Sequence, residues 1–183
     1  MVKINRGPWY RPSIDLHHWQ SAKKLQVFSG TFDNRFANWI DIDVLNSTGI
    51  TVVDTSRGMT PSVSEFALAM TLNLIRHIPE PLNSTQNGNW RGDVTWNHPN
   101  FIYGDLTGRR FGLAGFGSIN RRYAELLEPF QCTIHSYDPF VADHVFDNHN
   151  IQRSESLIEL AENSEIFVVG LPPVPATLEI INR

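Results

Sequence analysis

Residues 110–120 read Arg110-Phe111-Gly112-Leu113-Ala114-Gly115-Phe116-Gly117-Ser118-Ile119-Asn120. Arg110 to Ala114 predicts a strand, and the helical spacing of Tyr123, Leu126, Leu127 and Phe130 predicts a helix from Ile119 to Phe130. Between them, Gly115 and Gly117 fill the first two positions of G-x-G-x-x-G. The first glycine lets the chain turn sharply off the strand, and the second lets a pyrophosphate approach the backbone. The N–H groups that open the helix, those of Ser118 and Ile119 among them, have no partner inside it and suit a phosphate. Asn120 stands where the third glycine falls. Its bulk predicts a helix set slightly further from the strand, an effect on packing more than on phosphate contact.

A bare G-x-G is also a plain tight turn, so the surroundings decide its meaning. Cys132 to Tyr137 predicts a second strand, and Asp138 closes it 23 residues after Gly115. A carboxylate that grips the ribose diol of a dinucleotide is expected roughly 20 residues on. Pro139 and Phe140 follow, with no arginine to receive a 2′-phosphate, so the pattern favours NAD over NADP. Further out, Ser154 to Glu162 predicts a helix and Ile166 to Leu171 a third strand, ended by Pro172-Pro173. Alternating strands and helices imply crossover connections and a parallel sheet. The stretch between Phe140 and Arg153, with His144 and His149, reads as a polar connection.

Upstream, Met1 to Lys24 shows little pattern, while Leu25–Phe28 and Ile50–Val53 predict strands and Trp39–Leu45 a short helix. The strongest helix runs from Thr60 to about His77. Thr60 suits its cap, Pro61 suits its first turn, and Ser62 with Glu65 has capping-box spacing. Its apolar residues lie on more than one side, so it needs cover on two sides, from its own domain or from a second subunit. Pro79 to Thr107, rich in Asn, Gly, Trp and Pro, reads as an irregular excursion.

Composition narrows the partners. The 183 residues carry a net charge of −4, which argues against nucleic acid as the main partner. A single cysteine, Cys132, forbids an internal disulfide or a C-x-x-C pair and fits a reducing, cytoplasmic setting. Met1 to Arg6 lacks the apolar core of a signal peptide. The greasiest run, Phe66–Ile75, is broken by Thr71 and Asn73 and falls short of the about 20 residues that span a bilayer, so no membrane partner is expected. Asp41 and Asp43 lack a third ligand for a metal, and the five tryptophans are too scattered for a base-stacking platform.

Four blocks, in order, carry a family resemblance. The first is Ser29-Gly30-Thr31-Phe32-Asp33-Asn34 with Gly49-Ile50-Thr51-Val52. The second is Val63-Ser64-Glu65-Phe66-Ala67-Leu68-Ala69 with Arg76-His77-Ile78-Pro79 and Gly88-Asn89-Trp90. The third runs from Leu106-Thr107-Gly108 through Arg121-Arg122 to Tyr137-Asp138-Pro139-Phe140. The fourth is Leu171-Pro172-Pro173-Val174-Pro175-Ala176-Thr177. Over about Leu25 to Asn182 the chain resembles the NAD-dependent D-2-hydroxyacid dehydrogenases, which include the phosphoglycerate and formate dehydrogenases.

The resemblance implies an α/β chain: a partial Rossmann parallel sheet plus the remnant of a flavodoxin-like substrate domain. Residues 1–59 would be a substrate-domain segment. Residues 60–183 would be a partial NAD-binding domain carrying a dimerisation helix, 61–78, and hence a homodimer. NAD would lie on Gly115, Phe116, Gly117, Ser118, Ile119, Asp138 and Pro139, with further contacts at Leu171, Pro172 and Thr177. Backbone N–H groups of Ser29, Gly30 and Thr31 would hold the carboxylate of a small 2-hydroxy or 2-keto acid.

The family's catalytic Arg, in an N-x-x-R-G setting, and its Glu and His would fall after Arg183, so no catalytic residue is assigned within the chain. In a Rossmann sheet of order 3-2-1-4-5-6, the three strands read here would be the adenosine half, without those that flank the nicotinamide. His98, His135, His144 and His149 read as exposed or packed, Arg57 as a loop cation and Arg76 as a helix C-terminal charge. The implied activity is oxidation of a CH–OH group by NAD. The alternatives are a non-catalytic NAD-binding or dimerisation module, or an Asp138 that binds another adenosine ligand such as S-adenosylmethionine.

Overall fold

The computed structural model describes residues 20–30, 45, 47–89, 104–172 and 176–182. The expected helix at 39–45, Leu45 apart, lies outside the described residues, as do Thr31 and His98. The chain divides into two compact units, Met1–Gly58 with Pro172–Arg183, and Met59–Leu171.

In the first unit, strands β1 (Val27–Gly30) and β2 (Thr51–Asp54) pair in parallel, with Val27 opposite Thr51 and Gly30 opposite Asp54. Both begin one or two residues later than the apolar pattern suggests. Leu45 and Ile50 are buried, and Phe28 and Val52 pack against them.

The second unit begins with helices α1 (Thr60–Ile75) and α2 (Pro79–Gln86). Then come β3 (Arg110–Ala114), α3 (Ser118–Leu127), β4 (Thr133–Tyr137), α4 (Asp143–Asn148), β5 (Gln152–Arg153), α5 (Leu157–Glu162) and β6 (Ile166–Val169). The four strands form one parallel sheet in the order β5-β4-β3-β6. Renumbered within the sheet this is 3-2-1-4, the Rossmann order across its switch point.

Two expectations change as a result. The polar connection after Phe140 contains α4 and β5, so the strand read as third is the fourth. Only Phe146 of α4 is buried and β5 has two residues, too little for a periodic signal. The sheet is also more than an adenosine half, because β6 lies beside β3 on the far side of the switch point.

The central strand explains the core. Phe111, Leu113 and Ala114 of β3 are fully buried, as a parallel strand covered on both faces requires. Tyr123 and Leu127 of α3 join them, and Phe111 meets Tyr123 edge to face at 6.1 Å. The Tyr123 hydroxyl sits 2.7 Å from Thr71 Oγ1 of α1, and burial pushes its phenol pKa up.

Helix α1 departs from its predicted start. Thr60 is its first residue rather than its cap, Met59 occupies the cap position, and no side chain caps the end. Ser62 and Glu65 therefore lie within the helix and make no capping box. The Thr60 hydroxyl instead meets Ser118 Oγ at 3.2 Å, while Pro61 holds its expected place in the first turn. Ser64, Thr71 and Ile75 face inward, whereas Val63, Phe66, Met70 and Leu74 form an exposed apolar stripe.

The excursion after Pro79 is not wholly irregular either. Helix α2 has no buried residue, so its sequence carries no apolar period to read. Helix α3 stops at Leu127 and a 3-10 turn, Glu128–Phe130, follows it. Helix α5 starts at Leu157, with Ser156 Oγ accepting from Glu159 N at 3.1 Å.

At the start of the sheet, Glu165 accepts from Arg110 N at 3.0 Å and from Arg109 Nη1 at 2.9 Å. These donors, the Arg110 N–H first, hold its carboxyl below the usual carboxylate range. A depressed carboxyl stabilises the fold above its ordinary pKa, and that contribution disappears as pH falls through the lowered value. Glu165→Gln should therefore lower Tm at pH 7, with the deficit shrinking steadily as the solution is taken below the usual carboxylate range. An equal deficit at pH 7 and pH 3 would show that the charge contributes nothing.

Candidate nucleotide-binding site

The turn after β3 is held by groups from both neighbouring strands. Gly115 has φ +88°, which L side chains rarely adopt. A Cβ there would also lie 3.0 Å from Gly170 O and 3.1 Å from Leu171 Cδ2. Its N–H donates to Tyr137 O at 2.8 Å.

Phe116 N–H donates to Asp138 Oδ2 at 2.8 Å, so the carboxylate at the end of β4 lies against the glycine turn. Asp138 Oδ1 accepts from Phe140 N at 2.9 Å. An ionised carboxylate offers about four lone-pair sites. Two backbone donors orient Asp138 and leave the remaining acceptor capacity for a diol. The side chain of Phe116 has another role: it is fully buried, stacked on Phe146 at 4.9 Å, with the His149 ring edge-on at 5.6 Å. Phe116 thus anchors the turn in the core and presents only its backbone.

Gly117 contrasts with Gly115. Its backbone is extended (φ −73°, ψ −176°), a conformation open to any residue, and a Cβ built on it meets nothing within 4 Å. Among the described residues, neither strain nor a neighbour requires a glycine there. What a side chain would fill is the space over the mouth of α3. The first bond of this helix end runs from Arg121 N to Gly117 O at 3.0 Å, and no side chain caps it. The N–H groups of Gly117, Ser118 and Ile119 thus precede the helical ladder, at the positive end of the helix dipole. Open space over bare donors fits a diphosphate.

Asn120 is buried, and its Nδ2 donates to Gly115 O at 2.7 Å and reaches Ala114 O at 3.4 Å. The room for this amide comes from Gly170, just past β6, where a Cβ would lie 2.3 Å from Asn120 Nδ2.

The other expected residues are spread more widely. Pro139 is exposed beside Asp138, and Leu171 abuts Gly115. Pro172 and Thr177 belong to the first unit, where the Thr177 hydroxyl donates to Pro172 O. Ser29 and Gly30 end β1, and Gly30 O accepts from Thr55 N at 2.8 Å. His135 lies half-buried in β4 and His144 exposed on α4. Arg57 lies in the 3-10 turn Ser56–Met59, and Arg76 pairs with Asp105 at 3.4 Å. Among the described residues no group of three His, Cys, Asp or Glu could hold a metal, and no helix is long and apolar enough to cross a membrane. Phe140, 85% exposed beside Asp138, and Gly170, whose missing side chain makes room for Asn120, were not singled out as site residues by the sequence, since both lie outside the glycine motif.

A 3-2-1-4 parallel sheet, a glycine turn into a helix mouth and a carboxylate on the adjacent strand define a dinucleotide-binding Rossmann domain. Residues 68–183 match the model of the D-isomer specific 2-hydroxyacid dehydrogenase, NAD binding domain. D-3-phosphoglycerate dehydrogenase of Sus scrofa is 30% identical over 165 residues, which cover 88% of this chain and 29% of that protein. Hydroxyphenylpyruvate reductase of Plectranthus scutellarioides is 31% identical over 145 residues, covering 79% and 43%. The crystal structure of PH0520 protein from Pyrococcus horikoshii OT3 superposes with a TM-score of 0.66 at 26% identity, covering 92% of this chain and 50% of that one. The chain belongs to the D-isomer specific 2-hydroxyacid dehydrogenase family, and it spans less than half the length of these two curated relatives.

The two glycines should separate in mutation. Gly115→Ala should destabilise the fold by about 1–2 kcal/mol or more through its left-handed backbone. Gly117→Ala should leave Tm within about 2 °C of wild type while weakening NAD binding in calorimetry. A Gly117→Ala protein that binds NAD normally would remove the phosphate role of that residue.

Proposed function

We propose that this chain is the NAD-binding part of an oxidoreductase that acts on the CH–OH group of small 2-hydroxy acids, or on the C=O group of 2-keto acids. The observation behind the proposal is the 2.8 Å contact between Asp138 Oδ2 and Phe116 N, which brings a ribose-binding carboxylate beside a phosphate-binding turn. The N–H groups of Gly117, Ser118 and Ile119 hold the diphosphate. Asp138 takes the hydroxyls of the adenosine ribose, flanked by Pro139. Leu171, Pro172 and Thr177 are proposed as further cofactor contacts. Ser29, Gly30 and Thr31 are proposed as backbone donors to the substrate carboxylate. NAD, when bound, supplies the hydride acceptor, and the residues named here hold and orient it.

Selectivity follows from charge. A 2′-phosphate would bring a second anion against Asp138, and neither Pro139 nor Phe140 offers a cation to offset it. NAD is therefore the favoured cofactor. The exposed stripe Val63, Phe66, Met70 and Leu74 supports a homodimer through the 61–78 helix, because an apolar face of this kind is stabilised by cover.

Asp138→Ala should raise the Kd for NAD about tenfold to a hundredfold, the worth of losing hydrogen bonds to a charged group. Unchanged affinity in calorimetry would remove the nucleotide reading. A screen of 2-hydroxy and 2-keto acids with NAD or NADH then separates an enzyme from a module that binds without turnover. Sedimentation tests the interface: wild type should run as a dimer and Phe66→Asp as a monomer, and a monomeric wild type would refute the helix's role.

A further inference from the structure

We propose that Asn120 and Gly170 act as a coupled pair that sets the phosphate-binding turn, with Asn120 a positioning residue for the cofactor diphosphate. The proposal rests on the NAD reading above. Its starting point is the peptide unit between Gly115 and Phe116. The carbonyl end of that peptide accepts from Asn120 Nδ2 at 2.7 Å, and its N–H end donates to Asp138 at 2.8 Å. Glycine visits both signs of φ readily, so Gly115 by itself leaves this peptide free to rotate. A rotated peptide would turn its carbonyl oxygen toward the Asp138 carboxylate, placing acceptor against acceptor. Asn120 opposes the rotation by holding the carbonyl from the helix side.

The amide of Asn120 needs space, and Gly170 supplies it. A Cβ on Gly170 would lie 2.3 Å from Nδ2 and 2.7 Å from both Cγ and Oδ1 of Asn120. Gly170 also donates its N–H to Ala114 O at 2.9 Å, which ties the end of β6 to the residue just before the turn. In the G-x-G-x-x-G pattern the third glycine gives close helix-to-strand packing. Here a larger residue occupies that place, and the missing side chain is just past the neighbouring strand instead. The pair replaces simple closeness with a hydrogen bond, and neither residue works without the other.

A double-mutant cycle on the purified chain tests this, with Asn120→Ala, Gly170→Ala and the double variant measured for ADP, adenosine and NAD binding and for Tm. Asn120→Ala should weaken ADP and NAD about tenfold and adenosine less, because adenosine lacks the diphosphate that the turn holds. Gly170→Ala should weaken ADP at least as much and lower Tm. In the double variant the clash is gone, so adding Gly170→Ala to Asn120→Ala should cost little more in either ADP affinity or Tm. Additive penalties, or equal losses for ADP and adenosine, would overturn the pair while leaving the nucleotide site intact. A wild-type chain that binds no NAD would instead overturn the nucleotide reading and the pair with it. Because the Tm arm compares the two alanine backgrounds directly, it still decides the coupling when a variant binds too weakly for calorimetry.

Discussion

The hydrogen bond from Phe116 N–H to Asp138 does more for this fold than its length of 2.8 Å suggests. It joins the end of one strand to the turn after its neighbour, and so brings two motif residues that are far apart in sequence into one site. The bond is possible because β3 and β4 pair in register, with Ala114 opposite Tyr137, so that the residues following each strand end side by side. The same register lets Gly115 N–H reach Tyr137 O. Parallel pairing thus builds the site, and the glycine turn is only its most visible part.

A buried frame keeps that register. Strand β3 is covered on both faces, and Phe116 sends its ring into the core against Phe146 rather than toward the mouth of α3. The turn is therefore fixed from below while its donors stay open above. Helix α1 contributes from the side, with Thr71 bonded to Tyr123 and Thr60 in contact with Ser118 at the start of α3. One face of α1 supports the site, and the other presents the apolar stripe from Val63 to Leu74.

Parts of the structure were legible in the residue order because their physics is local. Strand β3 was readable to the residue, since a short stretch that ends at a glycine turn and is followed by a helical pattern fits a strand. The body of α1 was readable from its apolar density and Pro61. Helices α2 and α4 were not: a helix that buries no residue or one residue shows no period to detect. The start of α1 was misread for a related reason. A threonine before a proline looks like a cap, but the Thr60 hydroxyl found a partner 58 residues away.

The residue order alone carries the class of site: two glycines between a strand and a helix, with an aspartate at dinucleotide spacing. Those features depend on backbone freedom and on charge, both of which belong to individual residues. The folded chain was needed to show which strand crosses the switch point, that Phe116 is an anchor, and that Asn120 fits because Gly170 has no side chain. Each of these depends on contacts between segments far apart in the chain, and such contacts exist only after the sheet has brought the segments together.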